Sequence, residues 1–230
     1  MNLKVHRLLL VVSITIGVSS AGIVAADGEK VTFKTKDGIL ISGRLFGAGK
    51  TGVVLGHMYP ENQESWWPFA RLLAGKGYAA LALDFRGYGE SSGTKEIAKI
   101  DLDMDAAYEF LKPKVQRIVL VGASMGGTAA LKVAARKPVA GVISLSGPDA
   151  FRGLDATADV GKIAAPKLFI ASIDDSYAAR SVAKFMTMAK DPKEQKIFRG
   201  SGHGTYIFGT EHDKELTDLL LGFLGRLQGH

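Results

Sequence analysis

Between residues 117 and 136 the hydrophobic pattern changes period. The unbroken apolar run Ile118-Val119-Leu120-Val121 gives way, through small residues, to helical spacing over 125–136. A short continuous apolar run reads as a strand buried on both faces, and the following period of about 3.6 reads as a helix packed on it. The alternation recurs along the chain. Residues 31–35 and 39–45 flank Asp37-Gly38 and predict a hairpin. Apolar runs at 52–55, 79–83, 141–145 and 167–171 predict further buried strands, and 195–198 a last short one. Helical spacing marks 66–76, 102–111, 178–189 and 212–227, with Gly77 and Pro113 as stop signals. A hairpin followed by repeated strand–helix units implies an α/β fold: a mostly parallel, twisted sheet of about eight strands with helices on both faces.

The first 26 residues follow a different pattern. Lys4 and Arg7 precede an apolar core from Leu8 to Val18, and small residues lead to Val24-Ala25-Ala26. This is the pattern of a signal peptide cut before Asp27, and it predicts an exported, periplasmic or secreted protein. An uncleaved anchor is the alternative, because Leu8 to Ala26 carries no charge. Residues 27–230 then form one domain, with no repeat, low-complexity tract or second domain.

Composition narrows the functional class. The formal charge is +6; without Lys4 and Arg7, 27 basic residues face 23 acidic ones, or +4. These charges are scattered rather than clustered, which argues against a nucleic-acid surface. The absence of cysteine excludes disulfides and a cysteine-linked lipid anchor. No pair of histidines has metal-ligand spacing and the acids are dispersed, so neither metal nor cofactor is expected.

The candidate chemistry sits at the change of period. Gly122-Ala123-Ser124-Met125-Gly126-Gly127 joins the strand to the helix and has the pattern of a nucleophile elbow. Such a turn lifts the serine hydroxyl above the sheet edge at a helix N-terminus, where developing negative charge is favoured. A serine hydroxyl needs a base. Of five histidines, His6 lies in the leader, His230 ends the chain, His212 opens the last helix and His57 follows an early strand. His203, in Gly200-Ser201-Gly202-His203-Gly204, occupies a flexible loop between the last strand and the last helix, at the edge where Ser124 is presented. The base needs an acid to hold its tautomer. The strand 167–171 runs into Asp174 and Asp175; Asp175 stands where the acid is expected, with Asp174 and Asp149 as alternatives.

Ser124, Asp175 and His203 follow the nucleophile–acid–base order of the serine α/β-hydrolases, and nearly all of 27–230 resembles that family. A second signature, Asp84-Phe85-Arg86-Gly87-Tyr88-Gly89-Glu90-Ser91, resembles the family's structural turn after the fourth strand, which implies that Asp84 and Arg86 hold loops. The resemblance also implies an oxyanion hole built from the backbone N–H of Met125 and a second N–H after the third strand. There this chain reads Gly56-His57-Met58-Tyr59-Pro60, where many relatives have His-Gly-x. Alignment assigns the second donor to Tyr59, with Met58 as the alternative, and makes His57 a packing residue. Only residues 146–165 separate two strands where relatives insert lids, so no large lid is expected. Lidless relatives resemble carboxylesterases, thioesterases and dienelactone-hydrolase-like enzymes; Trp66, Trp67 and Phe69 are candidates to wall an acyl pocket, but aromatics near a helix start more often pack in the core. The expected activity is hydrolysis of small to medium carboxylic esters or thioesters through an acyl-serine. Alternatives are a peptidase, an acyltransferase or a non-catalytic binding protein on the same fold. The expected partner is a small-molecule ester or thioester, with no nucleic acid and no membrane after signal cleavage.

Overall fold

The computed structural model describes residues 27–228; the expected leader lies outside the described residues. Strands β1 (Glu29–Lys34) and β2 (Leu40–Phe46) form the predicted hairpin, with Gly38 taking φ 90° in the turn. Alternating units follow: β3 (Thr51–Gly56), α1 (Trp67–Gly75), β4 (Ala79–Leu83), α2 (Ile100–Leu111), β5 (Arg117–Ala123), α3 (Met125–Ala134) and β6 (Gly141–Leu145). A two-stranded ribbon, β7 (Ala150–Phe151) and β8 (Leu154–Asp155), comes next. Then β9 (Lys167–Ser172), α4 (Ser176–Met188), β10 (Lys193–Phe198) and α5 (Asp213–Arg226) complete the described chain.

Eight strands form one sheet in the order β1-β2-β4-β3-β5-β6-β9-β10. Only β2 runs against its neighbours; every pairing from β4 to β10 is parallel. Parallel strands covered on both faces must be apolar throughout, and β3, β4, β6 and β9 are buried at every position. Along β5 the side chains alternate between two cores. Ile118 and Leu120 join the core under α2, α3 and α4, while Val119, Val121 and Ala123 join the one under α1 and α5.

The predicted architecture therefore stands, with element ends shifted by a few residues. Between β6 and β9 the chain forms the small ribbon and a single 3-10 turn (Val160–Lys162), and no large lid. The ribbon escaped sequence reading because two-residue strands carry no periodicity. Among the described residues, no helix is long and apolar enough to cross a membrane.

Candidate active site

The turn after β5 is held in one conformation by two close approaches. A Cβ at Gly122 would lie 2.1 Å from the Gly126 carbonyl, and one at Gly126 would lie 2.4 Å from the Gly56 carbonyl oxygen. Neither position can hold a side chain. Ser124 between them takes φ 50°, ψ −121°, a left-handed conformation that costs a non-glycine residue about 1–3 kcal/mol. The surrounding hydrogen bonds enforce it: Ser124 N–H donates to Leu145 O at 2.8 Å, and Gly127 and Thr128 N–H groups donate to Ser124 O at 2.8 and 3.1 Å. The hydroxyl is thereby presented at the start of α3, and it makes no hydrogen bond among the described residues.

At the ends of β9 and β10 two loops carry the acid and the base. Ser172 Oγ donates to Gly202 O at 2.7 Å, and Asp174 N–H donates to Gly200 O at 3.0 Å, stapling the loops together. His203 Nδ1 lies 2.6 Å from Asp175 Oδ2, so Nδ1–H donates to the carboxylate. That bond leaves Nε2 as the basic nitrogen, and the half-exposed imidazole keeps it open to solvent. Asp174 is exposed, and its carboxylate makes no bond to His203 among the described residues. Asp149 is engaged elsewhere, by Lys184 Nζ at 2.5 Å and Ser181 Oγ at 3.1 Å. Of the three acids offered by the sequence, only Asp175 meets His203.

The His203 loop abuts the elbow. A Cβ at Gly204 would lie 3.3 Å from Ala123 Cβ and 2.6 Å from Met58 Sδ, so the residues beside His203, beside Ser124 and after β3 are packed on one another. Thr205 Oγ1 contacts Met58 Sδ at 3.6 Å, and Tyr206 O–H donates to Glu61 at 2.5 Å, a second tie between the same loops. The structure thus brings Ser124, Asp175, His203, Met125 and Tyr59 to one rim of the sheet. No other backbone group among the described residues bonds to the amides of Met58, Tyr59 or Met125, so these donors remain available.

His57 occupies the same rim but is sealed. It is fully buried, its Nδ1–H donates to Met58 O at 2.8 Å, and its Nε2 accepts the Phe85 N–H at 3.1 Å. Burial lowers its pKa to about 4, against the opposing pull of the Met58 carbonyl. The turn after β4 is structural, as expected. Asp84 accepts from Gln63 N–H, Gln63 Nε2 and Glu90 N–H. Arg86 is almost fully buried between Asp103 and Asp37, at 2.6 and 2.7 Å. Its hydrogen bond, with that of Thr35, lowers the Asp37 pKa to about 2.

The three aromatics near the start of α1 are mainly packing residues, as expected. Trp66 is fully buried, its Nε1–H donating to Gly56 O, and Trp67 lies under the Arg44 guanidinium. Phe69 lines a cavity of about 410 Å³ with Leu72, Thr205 and Phe208, between α1 and the turn after His203, whereas Trp67 borders a small, separate hollow with Arg44, Asp84 and Glu90. Sequence reading missed Arg152, at the tip of the β7–β8 ribbon, which lies 4.8 Å over the Tyr59 ring. Its only local signal is the Arg152-Gly153 pair at a two-residue turn, with φ 46° and 85°.

A family model described as alpha/beta hydrolase fold matches residues 53–169, which include Ser124 and stop short of Asp175 and His203. Among curated proteins, the Escherichia coli K12 protein YfhR is 30% identical over 120 residues, covering 47% of this chain and 42% of its own. Bifunctional epoxide hydrolase 2 of Sus scrofa is 33% identical over 118 residues, covering 49% of this chain and 21% of its own. The matched region thus spans less than half the length of these curated relatives. Among solved structures, the Pyrococcus furiosus esterase Pf2001 superposes with a TM-score of 0.78 at 21% identity, over 87% of this chain and 91% of that one. The likeness of these structures concerns the fold.

Proposed function

The chain belongs to the alpha/beta hydrolase fold family, and on that premise we propose that it is a serine hydrolase of carboxylic esters or thioesters with small to medium acyl groups. The observation that carries this reading is the Asp175–His203 hydrogen bond, packed against a strained and glycine-flanked Ser124. Catalytic hydrogen bonds are often long before substrate binds, so the Ser124 proton is handed to His203 Nε2 as the substrate closes the gap.

Ser124 Oγ bonds to the carbonyl carbon while its proton moves to His203 Nε2, and the carbonyl electron pair moves onto oxygen. The amides of Met125 and Tyr59 hold that oxyanion; one such donor is worth roughly 3–4 kcal/mol. Asp175 holds the imidazole by Nδ1–H and stabilises its positive charge. The bond to the leaving oxygen or sulfur breaks, and that atom takes the proton from Nε2. Water then attacks the acyl-serine, gives its proton to His203, and the acid leaves as Oγ is reprotonated. The leader-like N-terminus supports an exported, periplasmic or secreted site of action.

The test is the activity of Ser124→Ala on p-nitrophenyl acetate and butyrate. We expect kcat to fall about 10⁶-fold with the circular dichroism spectrum unchanged; activity retained in this variant overturns the assignment. Matched thioester and amide substrates on the wild type then fix the bond cleaved.

A further inference from the structure

The ribbon β7–β8 does more than connect two strands. It grows from a loop pinned to the elbow helix, where Thr128 Oγ1 donates to Pro148 O at 2.6 Å. Tyr177 O–H secures its base by donating to Ala150 O at 2.6 Å. At the tip, packing holds Arg152 over the loop after β3: its guanidinium lies 4.8 Å from the Tyr59 centroid and 5.3 Å from that of Phe151. Gly153 closes the tip against Ala98, which a Cβ would approach to 3.1 Å. Across the hollow stands Lys95, its Nζ 4.5 Å from the Tyr88 centroid, and Arg152 and Lys95 line one cavity of about 320 Å³.

The charges of this corner are unbalanced. Neither Arg152 nor Lys95 pairs with a carboxylate among the described residues; each lies over an aromatic ring instead. Glu96 and Lys99, which share the cavity, pair with each other at 2.6 Å. Glu61, the one carboxylate of the loop 57–62, is taken by Tyr206. Tyr88, 3% exposed, carries a buried hydroxyl with no hydrogen-bond partner, an uncommon state for a buried polar group. Burial raises the Tyr88 phenol, with Tyr59 acting in the same sense and Arg152 in the opposite one, which sets these three groups in one neighbourhood.

We propose that Arg152 and Lys95 form a subsite for an anionic group, a carboxylate or phosphate, carried by the ester substrate itself. The proposal rests on the ester-hydrolase reading and names its substrate class. Guanidinium groups suit this task because their fork of donors matches a carboxylate or phosphate. The stacked rings hold the guanidinium in place and so reduce the ordering needed when the anion arrives. Tyr59 links the subsite to the chemistry: the residue whose ring carries Arg152 is the one whose amide is assigned to the oxyanion.

The experiment compares kcat/KM for three esters. These are p-nitrophenyl butyrate, the mono-p-nitrophenyl ester of glutarate with the anion on the acyl side, and 4-acetoxybenzoate with the anion on the leaving group. In Arg152→Gln the ratio of anionic to neutral ester should fall about tenfold for one of the two anionic arms, the equivalent of one charge-assisted hydrogen bond. The arm that responds identifies which side of the ester carries the charge. Lys95→Gln should lower the same ratio by a smaller factor, and Arg152→Glu should lower it further than Arg152→Gln. Ratios within about twofold of wild type in both glutamine variants overturn the subsite while leaving the ester-hydrolase reading intact. Hydrolysis retained in Ser124→Ala, or none of the three esters cleaved by the wild type, overturns that reading and this proposal with it.

Discussion

His57 and His203 lie within one rim of the sheet and carry the same imidazole, yet their surroundings bond them differently. His57 is fully buried with both ring nitrogens committed, one donating to Met58 O and the other accepting from Phe85 N–H. A proton on Nε2 would face the Phe85 N–H, donor against donor, so this ring stays neutral. His203 has one nitrogen committed, to Asp175, and is otherwise open. What a histidine can do as a general base is set by the nitrogen left unbonded. A histidine satisfied on both sides is a packing unit that happens to be polar; one satisfied on one side can accept a proton and return it.

The largest contrast between the two histidines should be in activity. His203→Gln should lower kcat on p-nitrophenyl butyrate by about 10⁶-fold, near the loss for the serine itself, because in the proposed mechanism the two act as a unit. His57→Gln should leave kcat far above that level, and equal losses in the two variants would refute the division of labour. Next in size is a contrast between neighbours. Asp175→Asn should cost about 10⁴-fold in kcat by disturbing the tautomer of His203, whereas exposed Asp174→Asn should stay within about twofold. Comparable losses at both positions would show that the acid is shared.

The smallest effect is on stability and concerns His57 alone. Its pKa is about 4 in the fold against 6.5 as the ordinary value. The unfolded chain therefore takes up a proton below pH 6.5 that the folded chain refuses until pH 4. The His57 contribution to stability is complete above pH 6.5 and is lost as pH falls to 4, by about 3 kcal/mol. Urea denaturation from pH 7 to 4 should show this slope in the wild type and a shallower one in His57→Gln. An unchanged slope would mean that His57 takes up its proton over the same pH range folded and unfolded.

Much of this molecule is legible along the chain because its cause is local. Apolar runs of strand length, with glycines and a proline as punctuation, give the order of strands and helices. The elbow is legible because both the left-handed serine and the close approach of Gly126 to Gly56 demand small neighbours at fixed spacing. The acid and the base are legible as candidates, from their positions after β9 and β10. Choosing among Asp149, Asp174 and Asp175 is a matter of space: Asp149 is drawn to Lys184 on α4, and Asp174 is exposed on the stapled loop.

By itself, then, the amino-acid order determined the alternation of elements, the tight turn at Ser124 and the sequence in which the reactive groups occur, since each depends on near neighbours. Tertiary structure alone decided which carboxylate reaches His203, that His57 is sealed, that Phe69 rather than Trp66 meets a cavity, and that Arg152 is held over Tyr59. Those outcomes depend on the partners that distant segments bring within a few ångströms, and hydrogen bonds, burial and charge pairing act only at that range.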